Sequence, residues 1–163
     1  MPAPHRAFTL TTVDPSSVLG QQVLRSYWED IVGRYCGRQA TAAEVSSAFR
    51  EAPSDDLMLP SGLLVVAVDG RQPVGCGGIR LLRDGLAELT RIHVEVPFRR
   101  CGLGTRIVQH LERQAVAHEK NRMRLDVRGD LVEARAMYAR LGYREVPRFN
   151  DHPYVEHWFE KQL

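Results

Sequence analysis

Apolar and polar positions along the 163-residue chain follow two periods in turn, one near 3.6 and one of two. Phe8 to Val13 is Thr-rich and β-branched and predicts a first strand. Asp14-Pro15 reads as a helix N-cap followed by proline at the first helical position. Leu24, Trp28, Ile31 and Tyr35 recur at helical spacing, which predicts a helix from about Ser16 to Tyr35. Thr41-Ala-Ala-Glu44 has the form of a capping box, and Val45, Ala48 and Phe49 continue a second helix. Pro53 to Gly62 is a breaker-rich loop carrying Asp55 and Asp56. After it the period falls to two. Leu63 to Val68 is a buried strand, Asp69-Gly70 turns the chain, and Val74 to Leu82 returns as the hairpin partner. Asp84-Gly85 turns again into a strand from Leu86 to Val94.

The pattern then changes. A glycine-bearing loop, Phe98 to Gly104, leads into a helix marked by Ile107, Leu111 and Ala115. Arg124 to Val127 is a short strand, and Leu131 to Leu141 a helix closed by Gly142, which suits a left-handed cap. Tyr143 to Val146 and Tyr154 to Phe159 are the last two strands. The order predicts a mixed α/β sheet with helices on both faces, in one domain spanning residues 1–163.

Composition narrows the chemistry. Hydrophobic residues at 44% and charged ones at 26% are ordinary for a soluble globular protein. A net charge of +2 without a long basic run argues against nucleic acid as a partner. Lys120 and Lys161 are the only lysines, and neither lies in a motif for Schiff-base, nucleophilic or P-loop chemistry. Cys36, Cys76 and Cys101 are odd in number and far apart, so neither a disulfide framework nor a metal site is expected. The absence of a secretory signal and of an apolar span of about 20 residues leaves the reduced cytoplasm as the expected compartment, with no membrane partner.

The most informative stretch is Val94-Glu-Val-Pro-Phe-Arg-Arg-Cys-Gly-Leu-Gly-Thr105, which joins a strand directly to a helix. A helix start leaves its first N–H groups unpaired and carries partial positive charge. Glycines at alternate positions let an anion come close to that backbone, and Arg99 and Arg100 add donors. The spacing does not match a Rossmann loop, and the Gly-Lys-Ser/Thr of a P-loop is missing.

Arg99-x-x-Gly102-x-Gly104 resembles the signature Gln/Arg-x-x-Gly-x-Gly/Ala of the GNAT superfamily of N-acetyltransferases. It follows the strand Ala87 to Val94, where that family places it. Downstream, Ala134-Arg-Ala-Met-Tyr138-Ala-Arg-Leu-Gly142-Tyr143 resembles the family's Ala-x-x-x-Tyr-x-x-x-Gly-Phe/Tyr block. Together the two blocks carry the resemblance over roughly Leu63 to Phe159. The chain departs from the pattern at Leu131, where the family often has an asparagine that contacts the cofactor.

The resemblance implies a mostly antiparallel sheet that splays at the cofactor, acetyl-CoA as co-substrate, and no metal. It implies pyrophosphate binding at Arg99, Arg100, Gly102, Leu103, Gly104 and Thr105. The pantetheine arm would run beside Ile92, His93 and Val94, with a backbone N–H near Val94 or His93 as oxyanion donor. Tyr138 is the candidate general acid for the departing thiolate, and also touches the cofactor. Glu88 is the preferred base and His93 its competitor. In a regular strand Glu88, Thr90, Ile92 and Val94 share one face and Leu89, Arg91 and His93 the other. Only one of Glu88 and His93 would then face the acceptor, unless a bulge resets the alternation.

The first helix and the last strands wall the acceptor side in this family. Tyr27, Trp28, Tyr35, Glu88 and Tyr154 are therefore the expected substrate contacts, with Phe149 to His152 nearby. Aromatic walls with a few carboxylates suit a small amine, by direct attack in a ternary complex. The alternatives are acetylation of a protein N-terminus or lysine, and a noncatalytic acyl-CoA-binding sensor. The family often pairs through its final strands, which leaves a homodimer open.

Overall fold

Leu63-Leu-Val-Val-Ala67 is buried at every position, and alternation sends its side chains to two different cores. In the computed structural model, which describes residues 6–163, Leu63, Val65 and Ala67 join the larger core with Ile107, Val108 and Leu111. Leu64 and Val66 face the opposite side, against Leu24 and Val23. A strand covered on both faces needs no polar alternation, which is why this run reads as uniformly apolar.

The elements run β1 (Thr9–Val13), α1 (Val18–Cys36), α2 (Ala42–Glu51), β2 (Gly62–Asp69), β3 (Gln72–Leu81) and β4 (Leu86–Val94). A short 3₁₀ turn (Val96–Phe98) leads to α3 (Leu103–Ala117), β5 (Arg122–Val127), α4 (Val132–Arg140), β6 (Arg144–Glu145) and β7 (His157–Gln162). Among the described residues the strands form one sheet in the order β1-β2-β3-β4-β5-β7-β6. The β4–β5 pair is parallel and the other pairs are antiparallel. Helices α3 and α4 pack on the larger core, whereas α1 covers the other face. The expected mixed, mostly antiparallel sheet with helices on both faces is therefore the observed one.

Helix ends differ from the sequence expectation at one point. Ser17 caps α1, its Oγ accepting from Gly20 N–H at 3.0 Å. Asp14 instead accepts from Ser16 N–H at 2.7 Å and closes the turn before the helix. Two competing caps lie within four residues, and the nearer one wins. The capping box of α2 forms as expected: Thr41 Oγ1 accepts from Glu44 N–H at 3.2 Å, and Glu44 accepts from Thr41 N–H at 2.8 Å. Such a cap contributes about 1 kcal/mol. At the C-terminus the last strand starts at His157, later than expected. Tyr154 has φ +72°, so the chain is still turning there.

Candidate active site

The site is built on an irregularity in β4. Gly78 pairs with Thr90 and Cys76 with His93, so two steps along β3 oppose three along β4. The extra residue is accommodated at Arg91, whose φ is +59°. This is a β-bulge, and it resets the alternation. Ala87 and Leu89 face the α3 core, and after the bulge so do Ile92 and Val94. Glu88, Thr90, Arg91 and His93 lie on the α1 face. The regular-strand expectation is thus corrected: Glu88 and His93 share the face turned toward α1.

Arg91 holds the bulge. Its guanidinium donates to Ser54 Oγ (3.1 Å), Thr90 Oγ1 (3.0 Å) and the Ala52 carbonyl (2.9 Å), and stacks over the Trp28 ring at 4.8 Å. Burial depresses its pKa, since no carboxylate is paired to it.

Beyond the bulge the sheet splays. Strands β4 and β5 pair at Leu86–Arg122, Ala87–Met123 and Glu88–Arg124, and their ladder ends there. Both strands continue, to Val94 and Val127, leaving a gap between them. Glu95 N–H donates to the Val74 carbonyl on β3 at 2.9 Å. Alternation therefore turns the Val94 N–H and carbonyl the other way, toward the gap. An extended ligand can pair with such an edge as an added strand does. Arg34 of α1 and Glu133 of α4 form an ion pair that links the two helices.

At the end of the gap the chain passes through Arg99 to Gly104 into α3. Gly102 sits at φ +79° with nothing within 4 Å of the position a Cβ would take. The Arg106 N–H is the first to reach an i−4 carbonyl, that of Gly102, at 3.0 Å. The Leu103, Gly104 and Thr105 amides precede it and have no intrahelical partner. This is a concentration of outward donors suited to a phosphate. The two arginines divide their work. Arg99 Nε donates to the Val94 carbonyl at 2.7 Å and its Nη2 lies 3.1 Å from Asp30 Oδ2, so it lashes the loop to β4 and α1. Arg100 is exposed and carries its charge at the loop surface.

Tyr138 of α4 is buried, its ring packed edge-on to Tyr143 at 5.7 Å. Burial first, then the neighbouring Tyr27 and Asp126, raise its pKa above the ordinary phenol value. Tyr27 belongs to α1 and Asp126 to β5, so the hydroxyl senses groups from across the sheet. Leu131, at the N-cap of α4, provides no side-chain cap. On the first turn of that helix Arg135 donates to the Gly129 carbonyl at 3.2 Å and keeps a buried Nε without a partner among the described residues. An orphaned donor beside the end of β5 and the open amides at α3 both suit a polar, extended, phosphorylated ligand such as coenzyme A.

The acceptor face is crowded with charge. Glu88 has both oxygens engaged, Oε2 by Arg124 Nε at 2.9 Å and Oε1 by Arg80 Nη1 at 3.6 Å. His93 is buried with Nδ1 3.7 Å from Asp30 Oδ2 and Nε2 3.4 Å from Glu95 Oε1. Tyr27 lies edge-on to that imidazole, 6.5 Å between centroids. Trp28 keeps a buried indole N–H without a partner among the described residues. Tyr35 and Tyr154 are exposed and edge-on to each other at 4.7 Å, where they join the end of α1 to the final loop.

One group escaped the sequence reading. Asp126 of β5 accepts from Asn150 Nδ2 at 2.7 Å and from His152 Nδ1 at 2.7 Å, and Trp158 Nε1 donates to Asn150 Oδ1 at 2.9 Å. The alternation in Arg122-Met-Arg-Leu-Asp-Val127 was the available signal. Met123, Leu125 and Val127 are buried in the larger core, which puts Asp126 on the acceptor face beside the gap.

Comparison with known proteins agrees with this geometry. The sequence model of the acetyltransferase (GNAT) family matches residues 23–143, so the chain belongs to the GNAT acetyltransferase family. Its activity class is therefore acyl-CoA-dependent N-acetylation. The fold is similar to that of a GNAT-family acetyltransferase from Staphylococcus aureus Mu50, with TM-score 0.75, 14% identity, and coverage of 96% of this chain and 99% of that one. The PaiA N-acetyltransferase of Thermoplasma acidophilum, solved in complex with coenzyme A, is similar at TM-score 0.74 and 16% identity, covering 96% and 99%. A protein of Klebsiella pneumoniae subsp. pneumoniae MGH 78578, provisionally assigned as an acyl-CoA N-acyltransferase, is similar at TM-score 0.74 and 20% identity, covering 97% and 99%. No curated protein matches the sequence.

Proposed function

We propose that the chain, acting as one domain, transfers an acetyl group from acetyl-CoA to a primary amine of a small molecule by direct attack in a ternary complex. The observation that carries this reading is the gap between β4 and β5, with the open amides of α3 at one end and, on the helix whose Met137 packs against Gly104, the buried Tyr138. Acetyl-CoA supplies an acyl group activated as a thioester. The chain's residues supply the rest. The Leu103, Gly104 and Thr105 amides, with Arg100, hold the pyrophosphate. The Val94 N–H, turned into the gap, stabilises charge developing on the acyl oxygen, and Ile92 and His93 flank it on the same strand. The Tyr138 phenol keeps its proton at neutral pH and delivers it to the departing sulfur.

A small acceptor is favoured by the closure of the acceptor face. The final loop is bolted to β5 through Asp126, and Tyr154 meets Tyr35 of α1. Tyr27 and Trp28 form the inner wall. A protein substrate would need an open groove there. The exposed thiols of Cys36 and Cys101 suit the reducing cytoplasm.

The test is acetylated-product formation from acetyl-CoA over a panel of aliphatic, aromatic and amino-acid primary amines, with wild type and Tyr138→Phe. Turnover of a few amines, with kcat down about 10²-fold in the variant, is expected. The phenol makes no hydrogen bond among the described residues, so the variant should fold as wild type does, with coenzyme A-induced thermal stabilisation as the binding control. Equal kcat in both proteins would remove Tyr138 from the chemistry.

A further inference from the structure

We infer that His152, oriented by Asp126, is the base that takes the proton from the acceptor's ammonium group. The inference rests on the acetyltransferase reading of the same site. Its starting point is which nitrogen or oxygen on the acceptor face is still available. Both oxygens of Glu88 are engaged by guanidiniums. Both ring nitrogens of His93 are directed at carboxylates, and its side chain is only 4% exposed. His152 differs from both. Its Nδ1 lies 2.7 Å from Asp126 Oδ2, and its side chain is 58% exposed.

A carboxylate only accepts hydrogen bonds, so the 2.7 Å contact places the proton on Nδ1 and leaves the Nε2 lone pair open. An imidazole held in one tautomer by a carboxylate is the arrangement a general base requires. The carboxylate is itself fixed. Asn150 Nδ2 donates to the same Oδ2 at 2.7 Å, while Asn150 Oδ1 accepts from Trp158 Nε1 at 2.9 Å. His152 N–H also donates to Asn150 Oδ1, at 3.4 Å. Asp126, Asn150 and Trp158 are positioning residues in this scheme.

The location suits the role. Asp126 lies past Glu88–Arg124, the last β4–β5 pair, on the acceptor face of the open gap. Its strand neighbours Leu125 and Val127 point into the core that holds Tyr138, and Asp126 points to the opposite, acceptor face. Asp126 binds the imidazole from β5, Asp151 of the same loop is paired with Arg148, and Arg124 farther along β5 is held by Glu88. Arg128, two residues beyond Asp126, is paired with Asp130. Asp126 is thus the one carboxylate bonded to the ring.

The step balances as follows. The acceptor R–NH₃⁺ gives one proton to Nε2, leaving R–NH₂ and an imidazolium bonded to Asp126. The amine lone pair forms the C–N bond to the acyl carbon, and the C–S bond breaks with its electron pair on sulfur. Tyr138 gives its phenolic proton to sulfur and regains one from the second N–H of the acylated nitrogen. His152, reached by solvent through its exposed edge, releases its proton to water.

The experiment compares wild type, His152→Ala and Asp126→Asn for acetylated product over the same amine panel across the neutral pH range, with coenzyme A-induced thermal shifts as the fold and binding control. All three proteins should be stabilised equally by coenzyme A. His152→Ala should lose about 10²-fold or more in kcat, and with it the acid limb of the kcat profile. Asp126→Asn should retain more activity than His152→Ala, because the imidazole is still present and only its orienting partner is weakened. Wild-type kcat and pH profile in His152→Ala overturn the inference and leave acetyl transfer standing. So does a uniform loss in both variants with the limb intact, which is the mark of a structural role. Stabilisation by coenzyme A without turnover of any amine by wild type overturns the transferase reading and the base with it.

Discussion

The anion cradle can be separated from mere backbone strain by two glycines with the same conformational demand. Gly102 and Gly142 both have left-handed backbones, with φ +79° and +93°. Alanine at either position meets no serious clash: nothing lies within 4 Å of a Cβ at Gly102, and at Gly142 the nearest atom is Lys161 Cε at 3.7 Å. Each substitution should therefore cost only the backbone penalty, about 1–2 kcal/mol. In a domain of this size that is roughly 2–8 °C in Tm. Gly142 ends α4, away from the cradle, whereas Gly102 sets the direction of the first amides of α3. Coenzyme A at a hundredfold excess over its Kd stabilises the folded state by about 2.7 kcal/mol. A tenfold loss of affinity in Gly102→Ala would reduce this to about 1.4 kcal/mol. The assay is thermal unfolding of wild type and both variants, with and without coenzyme A. Similar Tm losses without ligand are expected, with the ligand-induced shift roughly halved in Gly102→Ala and kept in Gly142→Ala. Equal ligand-induced shifts in the two variants would refute the assignment of phosphate binding to these amides.

Two further predictions concern the groups around the site. Burial pushes the Cys76 thiol up to about 12, whereas Cys36 and Cys101 are exposed. Iodoacetamide on the native protein should label Cys36 and Cys101 and spare Cys76 until the chain unfolds, and coenzyme A should slow labelling at Cys101 in the cradle loop. Peptide mapping reads this directly, and native labelling of Cys76 at the rate of the other two would contradict it. Burial opposes ionisation of Asp30, but hydrogen bonds from His93 and Arg99 outweigh it and hold its carboxyl below the ordinary range. The folded state then binds this proton less tightly than the unfolded state. The stabilisation is present above the unfolded pKa of about 4 and lost as pH falls through the lower folded value. Asp30→Asn should flatten the acid side of a plot of Tm against pH, and an unchanged acid side would show that the contact contributes nothing.

What the sequence revealed follows from how local each signal is. Strand β4 was legible residue for residue, Leu86 to Val94, because alternation and its bounding turn are carried in its own sequence. The start of α3 and the Tyr138 block were legible through motifs that keep fixed spacing. The bulge was not, because Arg91 at φ +59° is neither glycine nor asparagine and has no turn chemistry around it. It is stabilised by partners 37 and 39 positions away, Ser54 and Ala52. The last strand also runs further than expected, to Gln162, for a similar reason. Glu160 and Lys161 look like tail residues until Arg122 and Glu112 supply the partners that let them sit in a strand. Asp126 was overlooked because a single acidic residue in a short strand has no meaning until the final loop brings Asn150 and His152 to it.

One inserted residue organises the whole site. Without the bulge, Ile92 would fall on the acceptor face and His93 in the apolar core, where its imidazole would have no polar partner. With it, the apolar pair Ile92 and Val94 returns to the α3 core, and His93 joins Asp30 and Glu95. The same reset turns the Val94 N–H from β3 toward the gap, so the packing requirement and the chemical one are met by one backbone change. The bulge breaks regular pairing and buries the guanidinium of Arg91 without a carboxylate partner, and both effects oppose it. That opposition is offset by three hydrogen bonds and by stacking on Trp28 and Tyr27. It follows that α1 and the Ala52–Ser54 segment are not passive walls. They hold the strand edge on which the acyl group would be activated, so Tyr27 and Trp28 would act on catalysis through the backbone of β4.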